Sequence, residues 1–204
     1  MEAMSLAELR SWNAIAVYCG SKTGALPVYA EVAGALGRTL AERSLTLVYG
    51  GGSVGLMGVV ADATMAAGGE VLGVITDALH AAEVGHPGIT TLEVVPSMHI
   101  RKARMADLAD ASIVLPGGFG TLDEFMETVT WNQLGVHAKP CGVLNINGYF
   151  DPLLEFIDRA VDQGFIAEQY ADSIMVADDP EELLDDLRSV ILPRGITANQ
   201  PEFR

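Results

Sequence analysis

Positive charge is scarce in this sequence. Its 204 residues include 12 Lys and Arg against 27 Asp and Glu, so the formal net charge at pH 7 is −15. Proteins that hold nucleic acid by its phosphate backbone present a basic surface. The composition therefore excludes nucleic acid as an expected partner. A small anion remains compatible, because it needs only one local basic pocket.

Cysteine is rarer still, with Cys19 and Cys141 the two in the chain. Both lie in apolar segments and lack metal-ligand spacing, which predicts reduced, buried thiols and not a disulfide scaffold. This favours a cytoplasmic protein. The four histidines are equally scattered, so we expect no metal site; they are His80, His86, His99 and His137.

Long apolar runs are absent as well. The stretch from Leu45 onward is broken by glycines at 50–52 and by Asp62, well short of the ~20 apolar residues that span a bilayer. The first five residues carry an acid and no basic segment before an apolar core, so no signal peptide is predicted. We expect no membrane association.

What the sequence does contain is a regular alternation of two patterns. Short, mostly fully apolar runs, typical of parallel strands buried on both faces, predict strands at 15–18, 45–49, 71–75, 92–95, 112–115, 142–146 and 174–176. Helical patterns lie between them, at 27–43, 56–67, 99–109, 122–134, 152–163 and 181–190. The alternation predicts a single-domain, Rossmann-like, doubly wound α/β sheet, mostly parallel, with about seven strands and helices on both faces. Its core is expected over 12–192, with a flexible tail over 193–204.

Ligands of such folds bind beyond the carboxyl ends of the strands, where helix N-termini expose free amides. The first turn there, residues 19–24, has glycines, hydroxyls and one lysine. That composition suits a phosphate, but it is also that of an ordinary strand-to-helix turn, which is the favoured interpretation of the turn alone.

The second turn, GGGSVG at 50–55, matches the dinucleotide-binding pattern, and Asp77 lies where such folds place a ribose-binding acid. The pattern normally follows the first strand of the unit, whereas here it follows the second. Three successive glycines indicate close approach to the backbone by a ligand or by a neighbouring helix. Ser21, Gly51 and Gly52 are accordingly a candidate phosphate loop.

The third turn, LPGGFGT at 115–121, leads directly into a helix. Its glycines could let exposed amides cradle an anion. Thr121 and Glu124 also form a Thr-x-x-Glu capping box, in which each would satisfy a backbone amide at the helix start. Capping and catalysis are both open for Glu124 on these residues alone.

A basic cluster favours the functional interpretation. Arg101, Lys102 and Arg104 fall within four positions of a chain that is otherwise acidic, which indicates an anionic subsite. Arg104 is expected to pair with Asp107 or Asp110 on its own helix. Surface pairing explains Arg101 and Lys102 less well, because positive charge is disfavoured in the first turn of a helix.

Four motifs at this spacing resemble a known family. They are Ser97-Met98-His99-x-Arg101-Lys102, Pro116-Gly117-Gly118-x-Gly120-Thr121-x-x-Glu124, Gly50-Gly51-Gly52-x-x-Gly55-Leu56-Met57-Gly58 and Thr130-Trp131-x-Gln133-Leu134-Gly135-x-His137. The sequence they belong to, from Ile15 to about Val176, resembles the LONELY GUY family of cytokinin riboside 5'-monophosphate phosphoribohydrolases. Some members of that family were long labelled lysine decarboxylases.

The resemblance implies a cofactor-free homodimer that hydrolyses the N-glycosidic bond of AMP or N6-modified AMP, releasing the base and ribose 5-phosphate. It implies Arg101 and Glu124 as the catalytic pair. The residues implied to contact the nucleotide are Glu83, Lys102, Gly117, Gly118, Phe119, Gly120, Thr121, Leu122, Asp123 and Thr130. A carboxylate suits an oxocarbenium-like transition state, which it can stabilise while orienting or deprotonating the attacking water.

Three other functions compete with this one. The strongest alternative is a non-catalytic nucleotide or cofactor carrier on the same fold, against which the presence of both Arg101 and Glu124 counts. A dinucleotide oxidoreductase would use the turn at 50–55. A pyridoxal-phosphate decarboxylase is the weakest alternative, because no lysine lies in a recognisable cofactor motif.

Overall fold

Seven strands form one sheet in the computed structural model, which describes residues 12–82 and 85–196. In chain order they are β1 (Ala14–Tyr18), β2 (Thr46–Tyr49), β3 (Val71–Thr76), β4 (Thr91–Val95), β5 (Ala111–Val114), β6 (Cys141–Leu144) and β7 (Ile174–Ala177). Their order across the sheet is β4-β3-β2-β1-β5-β6-β7, and each neighbouring pair is parallel. The predicted Rossmann-like parallel sheet is confirmed.

Within the described residues, eight α-helices connect and follow these strands. They are α1 (Pro27–Glu42), α2 (Gly55–Ala66), α3 (Asp77–Ala81), α4 (Met98–Leu108), α5 (Phe119–Leu134), α6 (Asp151–Asp162), α7 (Glu168–Ala171) and α8 (Pro180–Ser189). Local sequence explains several starts. Pro27 and Pro180 supply a preset φ at the first turn, and the Ser97 hydroxyl accepts the Ile100 amide at 3.3 Å to begin α4. Among the described helices, none has the length and apolarity for a bilayer crossing.

Each strand sends alternate side chains into one of two cores, because successive residues of a strand point to opposite faces. Ile15 and Val17 of β1 belong to the core shared with α1, α2 and α8. Ala16 and Tyr18 belong to the core shared with α4, α5 and α6. Helices therefore cover both faces, as predicted, and the five inner strands are almost wholly buried.

The strand order creates a crevice between β1 and β5. From β1 the chain builds outward through β2 and β3 to β4, and α4 then carries it back to β5 on the other side of β1. The turns after β1 and β5 thus diverge, and such a switch point is where doubly wound sheets bind ligands. The two turns are joined at their base, where the Gly20 amide donates to the Pro116 carbonyl at 3.0 Å.

The structure differs from the predicted elements at three places. Helices α3 and α7 are not in the predicted set, because five and four residues are too few to show a period of 3.6. Helix α5 begins at Phe119 and not at 122, with Gly118 as an N-cap that makes no side-chain bond.

Candidate active site

Two adjoining cavities occupy the crevice. The larger, about 350 Å³, is lined by Gly20, Ser21, Lys22, Thr23, Gly24, Tyr29, Leu56, Pro116, Gly117, Gly118 and Tyr149. The smaller, about 240 Å³, is lined by Cys19, Gly20, Ser21, Met57, Arg101, Gly118, Phe119, Gly120, Thr121 and Glu124. Because three residues line both cavities, the two form one continuous cleft; these are Gly20, Ser21 and Gly118.

A buried Arg–Glu pair lies in the smaller cavity. Arg101 projects from the first turn of α4 and is only 8% exposed. Its Nη1 donates to Oε1 of Glu124 at 2.9 Å, and its Nε donates to the Val74 carbonyl at 2.9 Å. The second bond ties the guanidinium to β3. Arg101 therefore presents a fixed cation to the cleft, held from the sheet as well as from α5.

Glu124 is the carboxylate of this pair, on the second turn of α5, with its side chain 12% exposed. Burial raises the pKa of Glu124, and the charge of Arg101 and its hydrogen bond oppose that rise. The net direction is upward. A carboxylate with a raised pKa in a partly closed cleft is characteristic of a functional group.

Gly50 explains the glycine triplet that resembles a dinucleotide-binding turn. A Cβ built on Gly50 would overlap Nη2 of Arg101, so the close approach predicted for this turn comes from a side chain of α4. Gly51 and Gly52 lie beside it, buried, and bond to the following loop: the Gly51 carbonyl accepts the His86 amide at 2.8 Å, and Gly52 forms a bridge with Gly85. Neither lines the described cavities, whereas Ser21 lines both.

The turn before α5 is held by two hydroxyls. Thr121 is buried with its Oγ1 against Gly117, where any Cβ would overlap it. The phenol of Tyr149 donates to the Gly117 carbonyl at 2.6 Å. Thr121 is the third residue of α5 and Glu124 the sixth, so they do not cap this helix. The capping-box interpretation was wrong, because Gly118 in extended conformation already begins the helix.

The other two cations of the basic cluster are neutralised by acids. Lys102 Nζ lies 2.9 Å from Asp123 Oδ2 and 3.2 Å from Glu127 Oε1. Burial lowers the pKa of Lys102, but the bonds to these two acids outweigh it and the pKa is raised overall. Arg104 was expected to pair with Asp107 or Asp110. It pairs instead with Glu93 at 2.9 Å, a partner supplied by β4.

The remaining predicted residues are spread more widely. Gly117, Gly118, Phe119 and Gly120 line the cleft, with Phe119 93% exposed at its rim. Leu122 packs against the core. Thr130 is an exposed residue of α5 outside the lining of either cavity. Glu83 lies outside the described residues.

Sequence reasoning missed several residues of the cleft wall. Lys22 is not one of these, because it is the lysine of the turn at 19–24, whose composition was already noted as suiting a phosphate. Tyr29 lies in α1 and Tyr149 lies just beyond β6, so neither is near a recognised motif. Only the packing of the helices brings them to the switch point. Within residues 12–82 and 85–196, no group of three or more His, Cys, Asp and Glu is placed to hold a metal ion.

The parallel sheet, its glycine turns and a buried Arg–Glu pair at the switch point define a Rossmann-like protein with an enzyme-type cleft. A family model described as "Possible lysine decarboxylase" matches residues 57–187. A cytokinin riboside 5'-monophosphate phosphoribohydrolase of Arabidopsis thaliana is 51% identical over 93% of this chain and 83% of its own length. A phosphoribohydrolase of Oryza sativa subsp. japonica is 50% identical over 83% of this chain and 70% of its own length. One of Rhodococcoides fascians is 46% identical over 87% of this chain and 90% of its own length.

The chain belongs to the family of these phosphoribohydrolases, as its motifs predicted. More distant solved structures share the fold. A molybdenum cofactor binding protein from Rippkaea orientalis superposes with a TM-score of 0.67 at 23% identity, covering 89% of this chain and 98% of that one. The molybdenum cofactor carrier protein of Chlamydomonas reinhardtii superposes with a TM-score of 0.63 at 19% identity, covering 85% of this chain and 99% of that one.

Proposed function

We propose that this protein hydrolyses the N-glycosidic bond of a purine nucleoside 5'-monophosphate, AMP or N6-modified AMP, to the free base and ribose 5-phosphate. The observation that carries the proposal is the buried pair of Arg101 and Glu124 in a cleft at the switch point. The names of relatives at 46–51% identity support the same chemistry.

The reaction breaks the bond between C1′ of the ribose and a ring nitrogen of the base. Water supplies the hydroxyl that C1′ gains, and a proton goes to the departing base, so atoms and charge balance. As the bond breaks, C1′ becomes cationic, and the carboxylate of Glu124 stabilises that charge and orients or deprotonates the water. Arg101 holds Glu124 in place and offers its fork to ribose or phosphate oxygens.

Product analysis tests this function directly. The protein is incubated with AMP, isopentenyladenosine monophosphate and nucleotides with other bases, and the products are separated by chromatography. Stoichiometric free base and ribose 5-phosphate are expected from at least one adenine nucleotide. Nucleotide that is bound but returned intact would favour the carrier alternative, which rests on distant likeness of fold.

We also propose a cytoplasmic homodimer. The thiols Cys19 and Cys141 are buried and unpaired with each other, which suits a reducing compartment. In helix α5, Phe125 is fully buried, and Leu122, Met126 and Val129 pack on the core, so this helix offers no second apolar face there. Exposed apolar side chains lie instead at the helix ends, on Met98, Ile100, Phe119, Leu134 and Val136. Light scattering at micromolar concentration should give twice the chain mass of 21.6 kDa, and a monomer mass would contradict the proposal.

A further inference from the structure

The Arg101 side chain has a third acceptor besides Val74 and Glu124. Its Nε donates to the Val74 carbonyl and its Nη1 to Oε1 of Glu124, each at 2.9 Å. Nη1 also donates to the thioether sulfur Sδ of Met98 at 3.3 Å. A guanidinium has five N–H donors, two of them on Nη1. Both donors of Nη1 are therefore used, one by a carboxylate and one by a sulfur.

The Arg101–Glu124 pair is joined by a single hydrogen bond, although arginine and a carboxylate often pair through two parallel bonds. Nη1 and Oε1 are the atoms that meet. Among the hydrogen bonds of residues 12–82 and 85–196, none involves Nη2 of Arg101 or Oε2 of Glu124. One nitrogen of the cation and one oxygen of the carboxylate thus remain for a substrate and a water.

Nη2 of Arg101 occupies space that Gly50 leaves open, since a Cβ on Gly50 would overlap this nitrogen. Sδ of Met57 would lie 3.3 Å from that Cβ, and Met57 and Arg101 both line the smaller cavity. The guanidinium therefore has a thioether sulfur near Nη2 as well as one bonded to Nη1.

A thioether suits this position because it is a neutral, weak acceptor. It can direct a donor without offsetting the positive charge of the guanidinium. Lys102 shows the contrast, since Asp123 and Glu127 offset its charge. Core packing does not explain Met98, which begins α4 and is 43% exposed. Its role therefore lies in the bond to Arg101.

We propose that Met98 is a positioning residue that keeps the Arg101–Glu124 pair singly bonded. The sulfur holds one donor of Nη1 while the Val74 carbonyl holds Nε, and together they stop the guanidinium from turning both Nη groups onto the carboxylate. Oε2 of Glu124 is then available to the attacking water or to C1′, and Nη2 to an oxygen of the substrate. The inference rests on the proposed nucleotide hydrolysis and deepens it.

Two pairs of variants test this role. Met98→Leu keeps the apolar shape and removes the acceptor, whereas Met98→Gln supplies a neutral acceptor oxygen on a side chain of similar length. Ile100→Leu and Ile100→Gln are matched controls, because Ile100 is 47% exposed in the same turn of α4 and has no side-chain acceptor. We expect Met98→Leu to lower kcat/KM for AMP about threefold to tenfold, the scale of one modest hydrogen bond. Met98→Gln should recover most of this loss, and both Ile100 variants should match wild type.

A purely structural role for Met98 would give the opposite order of activities. If Met98 served only as an exposed apolar side chain, for example against a second copy of the chain, Leu would be tolerated and Gln would lower activity. That order, or unchanged kinetics in Met98→Leu, would overturn the proposal. Equal losses at positions 98 and 100 would also overturn it, because they would trace the effect to the surface of α4. Each of these results leaves hydrolysis of AMP by the wild type intact, so the function and the positioning role fail separately.

A titration of the ligand-free protein covers the case in which the wild type releases no base. The carboxyl carbon of Glu124 is followed by carbon NMR, and its signal is identified by its loss in Glu124→Gln. A second bond from Arg101 would stabilise the ionised carboxylate. The pKa of Glu124 should therefore be lower in Met98→Leu than in wild type, and close to wild type in Met98→Gln. Asp123 and Lys102 also act on this pKa, and all the Met98 variants retain them. An unchanged or higher pKa of Glu124 in Met98→Leu would show that the sulfur does not keep the pair singly bonded.

Discussion

Replacing Glu124 by Gln separates the charge of this side chain from its shape. Gln can still accept the 2.9 Å bond from Arg101, so the geometry of the pair is retained while the negative charge is lost. A carboxylate about 4 Å from a developing cation contributes about 4 kcal/mol at an effective dielectric constant of about 20. Arg101 offsets part of this, and about 3 kcal/mol remains, which corresponds to roughly a hundredfold in rate.

The same change should leave the fold intact or slightly more stable. Because burial raises the pKa of Glu124 in the folded state, its ionised form opposes folding at neutral pH, and a neutral Gln removes that cost. Asp123→Asn is the matched control, since Asp123 is adjacent in sequence but its side chain is 60% exposed and bound to Lys102. Turnover of AMP and melting temperature are measured on both variants.

The expected pattern is a loss of turnover by about a hundredfold or more in Glu124→Gln, with near wild-type turnover in Asp123→Asn. Melting temperatures should change little in either. A fully active Glu124→Gln enzyme would refute the assignment of Glu124. A large fall in its melting temperature would show that the side chain is chiefly structural.

Three further predictions concern the same cleft. If ionised Glu124 is required, kcat/KM should fall as the pH falls through its raised pKa, so the acidic limb of the pH–rate profile should lie at a higher pH than for an ordinary glutamate. Arg101→Met removes a group that lowers this pKa, so it should move the limb to a still higher pH. A limb that Arg101→Met leaves in place would contradict this. Gly50→Ala should displace the guanidinium of Arg101 and lower turnover at least about tenfold with the fold retained. Gly34→Ala in α1, whose Cβ would meet neighbouring side chains only at ordinary contact distances, should stay active. Equal activities of the two variants would refute the packing argument. Activity should survive prolonged EDTA treatment, and recovery of lost activity on adding Mg²⁺ or Zn²⁺ would show that a metal had been overlooked.

The five inner strands were predictable because each is a short apolar run buried on both faces, a pattern that depends only on neighbouring residues. The start of α5 was not, because Thr121 and Glu124 carry the signature of a capping box while the conformation of Gly118 decides where the helix begins. Local signals describe an element well and its first residue poorly.

The site was predictable only as far as motifs reach. Arg101 and Glu124 could be named because the motifs that contain them resemble those of a known family. The partner of Arg104 on β4 and the acids around Lys102 come from other elements. The purpose of Gly50 is also a long-range matter, since the atom that occupies its space belongs to a residue about fifty positions later. Contacts of this kind depend on tertiary packing and produce no repeating pattern in the sequence from which they could be predicted.

The bond from Arg101 to the Val74 carbonyl has a consequence for how this protein would lose activity on heating. Val74 lies in β3 and pairs with Glu93 of β4, while residues 71–73 of the same strand pair with β2. Gly50 follows the neighbouring strand β2. The guanidinium is thus fastened to the part of the molecule that opens last, since core strands unfold only with the whole domain. Fraying of the surrounding loops would weaken substrate affinity first. Irreversible inactivation would then follow the rate of global unfolding, so ligands that protect the sheet would also set the working lifetime of the enzyme.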